Sequence, residues 1–386
     1  MAGTLVADDA LLDDAEALAG ADPGEMLPAC AGAGAQVRTA ARSALEAGVR
    51  SVADDGRPRT VVVAGVGGSG IAADALAAVT GPSCPVQVLA LHDLVLPGWV
   101  GPLDLVVGVS CSGSTEETLL VTEEAARRGA RVVTVGRPGS ALAAVGERAR
   151  GVHLPVDAAG RPPRACFWSL SVPLLVLADV LGLAAVPQEA LAATAARLDV
   201  LAERYGPRLP VGENPAKDLA LALAGTLPMV WGTSGVAAAA AYRMVSQLAE
   251  NAKLPAAPGQ LPEAGHNAVV ALDGPLSGAG DGAADDLFRD PFEEPQALRL
   301  RAVLLRDPTE HPRIAARADA VEAVAQGRGV PTSVLRADGD TAVERLASLV
   351  GLADFATTYL ALATGVDPSP IAAIDELKAR IGEPAR

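Results

Sequence analysis

Two short segments of this 386-residue sequence have the residue types and spacing to bind a phosphate group. The first contains Gly65, Gly67 and Gly70, spaced as G-x-G-x-x-G, directly after the apolar run Thr60–Ala64. Glycines let the backbone approach a phosphate closely, and a helix that begins there directs its free N–H groups at the anion. The pattern is typical of dinucleotide-binding folds, and it also suits the phosphate of a smaller molecule.

The second segment reads Ser110-Cys-Ser-Gly-Ser-Thr115 and precedes Glu116-Glu-Thr, so it lies between a predicted strand and a predicted helix. A single hydroxyl in such a place is an ordinary helix cap. Four hydroxyls in six residues favour an anion site, because together with backbone N–H groups they can surround a monophosphate without any lysine. The hydroxyls belong to Ser110, Ser112, Ser114 and Thr115.

The dinucleotide interpretation needs an acidic residue about twenty positions after the glycines, at the end of the second strand. Asp93 lies near that position. A nucleotide-dependent oxidoreductase that uses Gly65, Gly67, Gly70 and Asp93 therefore remains an alternative to a phosphate site for a smaller molecule.

Composition limits the classes of function. The chain is 50% apolar with a net charge of −15, so we expect a large buried core and no binding to nucleic acid or to anionic membranes. The N-terminus has no basic stretch before an apolar one, which predicts a cytoplasmic protein. The four cysteines lie far apart, so we expect reduced thiols, no metal and no cofactor.

Lysine is scarce: of 31 basic residues only Lys217, Lys253 and Lys378 are lysines, and the rest are arginines. A position that keeps lysine in such a chain is a candidate for a compact, titratable ammonium group. The alternative is chance retention on a solvated surface.

The elements that position these residues alternate between strand-like and helix-like runs, which predicts βαβ units with a mainly parallel, doubly wound sheet. We expect a helical N-terminal arm at 1–55, a first domain at 56–190 and a second domain at 210–386, joined by a charged connector. The acidic segment 273–295 reads as a surface loop. The strands are predicted at 60–64, 86–91, 103–109, 130–135, 228–232 and 300–305.

The two domains also look like an internal repeat. The first contains VVVAGVGGSGIAADAL and the second LPMVWGTSGVAAAAAYRM, each reading as a strand, a Gly/Ser turn and the start of an alanine-rich helix. The hydroxyl-rich SCSGSTEE has a degenerate counterpart in LLRDPTE. The sequence therefore predicts a duplicated domain.

At this level of detail the chain resembles the sugar isomerase (SIS) domain proteins, and specifically the bifunctional phosphoglucose/phosphomannose isomerases. The resemblance covers most of the chain and rests on GVGGSGIAAD, SCSGSTEET, RPPRACF, NPAKDLA, SQLAENAKLPAAPGQLPEAGHN and YLALATGVDPSPIAAIDELK. It implies an α/β fold of two SIS subdomains, each a doubly wound, mainly parallel sheet flanked by helices. The residues that it implies for the sugar phosphate are Gly68, Ser69, Ser110, Ser112 and Thr115.

The family reaction interconverts aldose and ketose 6-phosphates, so its site must open a ring, move a proton between two carbons and stabilise an enediolate. The resemblance implies Glu250, in the pattern Glu-Asn-x-Lys, as the base, with Glu263 as the alternative. Arg164 would face the developing negative charge without a metal, although Arg161 lies close enough to confuse that assignment.

By the same resemblance His266 would assist ring opening from the other subunit, which implies a homodimer with its site at the interface. Lys378 would approach the ring oxygen or the phosphate, and pairing with Asp375 on a helix surface is its alternative role. The expected partner is a hexose 6-phosphate substrate, with no nucleic acid and no membrane.

Two departures from the family pattern affect the expected substrate. Ile371 stands where some members carry a threonine that is thought to make room for both epimers at C2, which puts activity on mannose 6-phosphate in question. The sequence after His266 reads NAVV where many members have an acidic residue after the asparagine. A non-catalytic SIS protein that senses a sugar phosphate therefore remains a second alternative.

Overall fold

The computed structural model describes residues 6–277 and 298–382. Within them the chain is an α/β protein with two parallel sheets flanked by helices, as predicted. Most of the predicted acidic loop 273–295 lies outside the described residues.

The first sheet has five parallel strands in the order β2-β1-β3-β4-β5. Every residue of β1 and β3 is buried. Both strands are continuous apolar runs because helices cover both faces of a parallel sheet. The strands are β1 (Thr60–Ala64), β2 (Gln87–Leu91), β3 (Leu105–Ser110), β4 (Arg131–Gly136) and β5 (Val152–Pro155).

The second sheet has four parallel strands in the order β7-β6-β8-β9. It repeats the layout of the first, because β6 and β8 are neighbours as β1 and β3 are. The strands are β6 (Thr226–Gly232), β7 (Ala257–Gln260), β8 (Arg299–Arg306) and β9 (Thr332–Arg336).

Fourteen α-helices are found in the described part of the chain. They are α1 (Asp9–Asp13), α2 (Ala15–Ala21), α3 (Met26–Ala31), α4 (Ala33–Glu46), α5 (Gly68–Thr80), α6 (Glu116–Arg127), α7 (Ala141–Arg148), α8 (Phe167–Val180), α9 (Gln188–Arg204), α10 (Pro215–Leu223), α11 (Gly235–Glu250), α12 (Pro312–Gly327), α13 (Ala342–Ala363) and α14 (Ala372–Ile381). Short 3₁₀ helices lie at Val49–Ala53, Pro163–Cys166, Val211–Glu213, Glu263–Gly265 and Ala268–Asp273.

The predicted repeat is present as two strand–turn–helix units, β1–α5 and β6–α11. The two helices of these units contact each other, and a Cβ at Gly235 would lie 3.8 Å from Ala78 Cα. The two halves therefore meet through the helices that follow the Gly/Ser turns, and these helices run in opposite directions, because the start of α11 lies against the last turn of α5.

Two further helices fill the core around this junction. The segments Pro163–Val180 and Ala342–Ala363 are apolar and long enough to cross a membrane, but 78% and 89% of them is buried inside the protein. A core position accounts for their composition, so they are weak evidence for a membrane span.

The charged connector after the first sheet is largely helical. Helix α9 occupies most of it and packs against α4 and α13. Its buried residues recur at Ala190, Leu191, Thr194, Ala195 and Leu198, so the charges that suggested a linker lie on the outer face of an amphipathic helix.

Candidate active site

The glycine-rich turn places the start of α5 against the backbone that carries Arg164. Gly67 has φ +57°, a conformation that side chains disfavour, and α5 begins at Gly68. A Cβ at Gly68 would lie 3.4 Å from the Pro163 carbonyl oxygen and 3.6 Å from Arg164 N. The N-terminus of α5 therefore lies directly against the 163–164 backbone, at distances where a Cβ would make ordinary van der Waals contact.

The hydroxyl-rich segment lies beside this turn. Cys111 N–H donates to Ser69 Oγ at 3.3 Å, which ties the loop after β3 to the first turn of α5. Ser110 Oγ and Thr115 Oγ1 are 2.8 Å apart, and Gly113 N–H donates to Ser110 Oγ at 3.0 Å. The predicted phosphate residues are therefore together, between the N-termini of α5 and α6, both of which carry partial positive charge.

Arg164 is held rigidly in the interior, with 3% of its surface exposed. Its Nε donates to Asn251 Oδ1 at 3.0 Å, and its Nη2 donates to the carbonyls of Pro368 and Ser369 at 2.6 and 2.8 Å. These acceptors are neutral oxygens, so the contacts orient the guanidinium without cancelling its charge.

A buried network supports this arrangement from behind. Asn251 donates through Nδ2 to Thr357 Oγ1 at 3.2 Å, so it bridges Arg164 to α13. Arg243 donates to the Arg164 carbonyl at 3.1 Å and to both carboxylate oxygens of Asp354 at 2.9 and 2.7 Å. Burial raises the pKa of Asp354, although the Arg243 charge opposes that rise. Helices α11 and α13 together fix the backbone and the side chain of Arg164.

Glu250 and Lys253 stand at the end of α11, on either side of Asn251. Lys253 has φ +56°, and its Nζ donates to the Glu250 carbonyl at 2.5 Å and to the Pro370 carbonyl at 2.8 Å. Partial burial and then the positive charge of Arg164 lower the pKa of Lys253, against the attraction of Asp367 and Glu250. The charged side chains of Arg164, Lys253 and Glu250 therefore lie close enough to influence one another.

The segment 368–371 completes this region. Arg164 and Lys253 together hold the carbonyls of three consecutive residues, 368, 369 and 370. The next residue, Ile371, is half-buried and caps the start of α14. Lys378 lies on that helix, which has no buried residue, and its side chain is half-buried.

His266 lies in a different place within the single chain. It is exposed, ends the 3₁₀ turn that begins at Glu263, and lines a cavity of about 310 Å³ with Val269 and Arg317. Glu263, the alternative base, belongs to the His266 turn, where Asn267 donates to its carboxylate at 2.6 Å. The structure thus groups Glu250 with Arg164, and Glu263 with His266.

The acidic residue that the dinucleotide alternative needs is used locally. Asp93 Oδ1 accepts from the N–H groups of Leu94 and Val95 at 2.6 and 3.3 Å, so it caps its own turn. The neighbouring His92 braces the glycine turn instead, with Nδ1 2.9 Å from the Gly65 carbonyl and Nε2 3.1 Å from Asp74. The structure gives no support to the nucleotide interpretation.

The remaining polar candidates outside this region are structural. Lys217 is buried and donates to the carbonyls of Leu12, Pro207 and Leu209, and burial lowers its pKa. Its ammonium group therefore ties loops together. None of the four cysteines forms a disulfide, and the described residues contain no group of three or more His, Cys, Asp or Glu side chains that could hold a metal.

Sequence reasoning did not assign a part to Asn251, to the carbonyls of 368–370 or to the Arg243–Asp354 pair. The Glu-Asn-x-Lys pattern contained the signal for Asn251, since an amide next to two charged residues at a helix end is a candidate for orienting them. Nothing in the sequence indicated which carbonyls would face Arg164.

The second half matches a family model described as the bacterial phospho-glucose isomerase C-terminal SIS domain, over residues 212–381. A bifunctional phosphoglucose/phosphomannose isomerase of Caldicellulosiruptor bescii is 32% identical over 323 residues, which are 84% of this chain and 89% of that protein. The enzyme of the same name from Aquifex aeolicus is 29% identical over 82% of this chain and 89% of that protein.

Among solved structures, a hypothetical protein of Thermus thermophilus superimposes with a TM-score of 0.69 at 19% identity, covering 97% of this chain and 94% of that one. The likeness extends over both sheets, which supports the two-subdomain fold. The sequence matches to the curated isomerases identify the chain as a sugar-phosphate isomerase that belongs to the bifunctional phosphoglucose/phosphomannose isomerase family.

Proposed function

We propose that this isomerase interconverts glucose 6-phosphate, mannose 6-phosphate or both with fructose 6-phosphate through a cis-enediolate intermediate. One observation carries the proposal: Arg164 is bonded to Asn251, which adjoins Glu250, and its backbone abuts the start of α5 beside the hydroxyl loop. A carboxylate base, a fixed cation and a phosphate-sized anion site are therefore combined in one region.

The phosphate binds at the N-termini of α5 and α6. Backbone N–H groups there and the hydroxyls of Ser69, Ser110, Ser112 and Thr115 supply neutral donors, and the two helix dipoles favour a dianion. Gly68 lets the substrate approach the helix start. The net charge of −15 makes such a local site necessary for an anionic substrate.

Arg164 stabilises the enediolate. Its position is fixed before the reaction by Asn251 and by two carbonyls, so little reorganisation is needed when negative charge develops on the substrate. A preorganised cation in a water-poor site lowers the barrier far more than it would in bulk water. Lys253, with its lowered pKa, lies at the open side of the same region.

Glu250 moves the proton between C1 and C2 as base and then as acid. His266 assists ring opening by reaching the site of a second subunit in a homodimer, and Lys378 approaches the ring oxygen or the phosphate. The exposure of His266 in the single chain supports this arrangement, because a donated side chain must lie on a surface.

The test is turnover of fructose 6-phosphate in the presence of a chelator, with glucose 6-phosphate and mannose 6-phosphate quantified separately. Glu250→Gln should lower kcat by about 10² to 10⁴-fold while phosphate binding is retained. The matched control is Glu263→Gln, which should keep most of the activity.

If Glu263→Gln abolishes activity and Glu250→Gln does not, the catalytic base is Glu263 instead of Glu250. Binding of the sugar phosphate by the wild type without turnover of any hexose 6-phosphate would favour the sensor alternative.

A further inference from the structure

The second half repeats the turn that forms the phosphate site of the first half. The segment Thr233-Ser234-Gly235 follows β6 and opens α11, as the glycine-rich turn 65–70 follows β1 and opens α5. The turn in the second half faces the end of β8, and the turn in the first half faces the end of β3.

A hydrogen bond in each half establishes which residues correspond across this duplication. In the first half Cys111 N–H donates to Ser69 Oγ at 3.3 Å. In the second half Asp307 N–H donates to Thr233 Oγ1 at 3.1 Å. Asp307 is therefore the counterpart of Cys111, since each is the first residue after its strand, and the Asp307 carboxylate lies beside the turn that opens α11.

The groups around this carboxylate are those expected around a bound anion. Ser234 Oγ donates to Asp307 Oδ2 at 2.8 Å, while Thr309 N–H and Oγ1 donate to Oδ1 at 2.9 and 2.8 Å. Arg345 is nine-tenths buried, and its Nε lies 3.1 Å from Asp307 Oδ1 without a hydrogen bond of good geometry. A cation, two hydroxyls and a helix N-terminus thus converge on one carboxylate that is 2% exposed.

The ionisation of Asp307 agrees with this geometry. Burial alone would raise its pKa, but the donors of Thr309 and Ser234 and the charge of Arg345 outweigh burial and lower the pKa. The carboxylate is therefore an anion at neutral pH and keeps its donors occupied.

We propose that the second half contains a latent site for a phosphate monoester dianion, closed by the Asp307 carboxylate, which acts as a built-in substitute for the ligand. Each chain then binds its substrate phosphate only in the first half. Removal of the carboxylate opens the latent site to phosphate. The correspondence between the halves rests on the proposed phosphate role of the first half.

The test counts phosphates bound by the full-length protein, using equilibrium dialysis with radiolabelled inorganic phosphate. Asp307→Ser vacates the space of the carboxylate and leaves Ser234, Thr309 and Arg345 in place, so it should bind one more phosphate per chain than the wild type. The same variant should be more stable in phosphate than in chloride of equal ionic strength, by a larger margin than the wild type.

Two matched variants separate an opened site from a mere change in charge. Asp307→Asn removes the charge but fills the space, and it should gain no phosphate. Asp319→Asn removes the negative charge of an exposed carboxylate in the same half, which pairs with Arg306 and is 68% exposed. This variant should also bind no additional phosphate.

Two results would overturn the latent site. The first is no extra phosphate in Asp307→Ser, or an equal gain in Asp307→Asn. The second is binding of phosphate at the Ser234 turn in a Ser112→Ala/Thr115→Val protein, in which Asp307 is unchanged. This result can be obtained even if no Asp307 variant folds. Failure of the proposed function would give a different result from failure of the latent site, because the wild type would then bind no phosphate in its first half or give no turnover.

Discussion

Asn251 accepts a hydrogen bond from Arg164 across 87 residues of sequence, at 3.0 Å, and is completely buried. Its amide nitrogen donates to Thr357 Oγ1, so both the oxygen and the nitrogen of the side-chain amide are held in place. Asn251 therefore acts as a positioning residue that joins the end of α11, with Glu250, to the guanidinium of Arg164.

The Asn251→Ala substitution should lower kcat for fructose 6-phosphate by about 10²-fold, because a reacting group displaced by about 1 Å loses that much. It should also cost about 1–3 kcal/mol of unfolding free energy, since Arg164 Nε and Thr357 lose a buried partner. Steady-state kinetics and urea unfolding measure the two effects.

The control for Asn251 is Asn214→Ala. Asn214 is equally buried, but its Oδ1 caps α10 through Ala216 and Lys217 N–H groups. This variant should lose about 1–2 kcal/mol of stability and retain kcat. If Asn251→Ala and Asn214→Ala lose the same amount of kcat, Asn251 has only a structural role.

The sequence was sufficient for the central strands because β1 and β3 are buried on both faces and read as unbroken apolar runs. It was insufficient for the outer strands β5, β7 and β9. These strands have four or five residues, and none is buried along its whole length. Short, partly polar runs of this kind carry no distinct periodicity.

The site was predictable only where its residues are close in sequence or match a family motif. Ser110 and Thr115 are five positions apart, so their shared hydroxyl cluster could be anticipated. The Arg164 contacts with Pro368 and Ser369 span more than 200 residues and involve backbone carbonyls, which any residue type can supply. Such contacts follow from the tertiary fold and leave no trace in residue type.

Ile371 is the residue whose replacement should change the choice of sugar. It directly follows the carbonyls that Arg164 and Lys253 hold, so its backbone adjoins the region proposed for the reaction. Ile371→Thr replaces an ethyl group by a hydroxyl and should raise the ratio of mannose 6-phosphate to glucose 6-phosphate formed from fructose 6-phosphate, by roughly tenfold.

Ile374→Thr, one turn further along α14 and also half-buried, is the matched control for Ile371. It should leave the product ratio unchanged. A constant ratio in Ile371→Thr would mean that epimer preference is decided elsewhere in the pocket.

The Arg243–Asp354 pair should be critical for stability. It is bidentate, its side chains are 2% and 12% exposed, and Arg243 also stacks on Phe167 with its guanidinium carbon 4.4 Å from the ring centroid. Asp354→Ala would leave a buried guanidinium without its counter-charge, so unfolding free energy should fall by about 3–5 kcal/mol.

A surface pair gives the comparison for Asp354. Arg38 and Asp199 are joined at 2.7 Å but are 53% and 47% exposed, so Asp199→Ala should cost less than about 1 kcal/mol. Urea unfolding of both variants measures the difference. Similar losses would show that burial does not distinguish the two pairs.

His92 should make stability depend on pH. The hydrogen bond to Asp74 raises the pKa of His92, burial opposes that rise, and the Gly65 carbonyl adds to it. A pKa that is higher in the folded state than in the unfolded state means that the protonated imidazole stabilises the fold. That stabilisation is complete below the unfolded pKa of about 6.5 and is lost as pH rises through the folded value.

Urea midpoints of wild type and His92→Gln, measured from pH 5.5 to 9, should therefore differ most at the acidic end and converge as pH rises. Asp74→Asn is the matched variant, because it keeps the imidazole but removes the main cause of its raised pKa. It should flatten the pH dependence in the same way. A difference between wild type and His92→Gln that stays constant with pH would mean that His92 supports the Gly65 turn through packing and a neutral hydrogen bond alone.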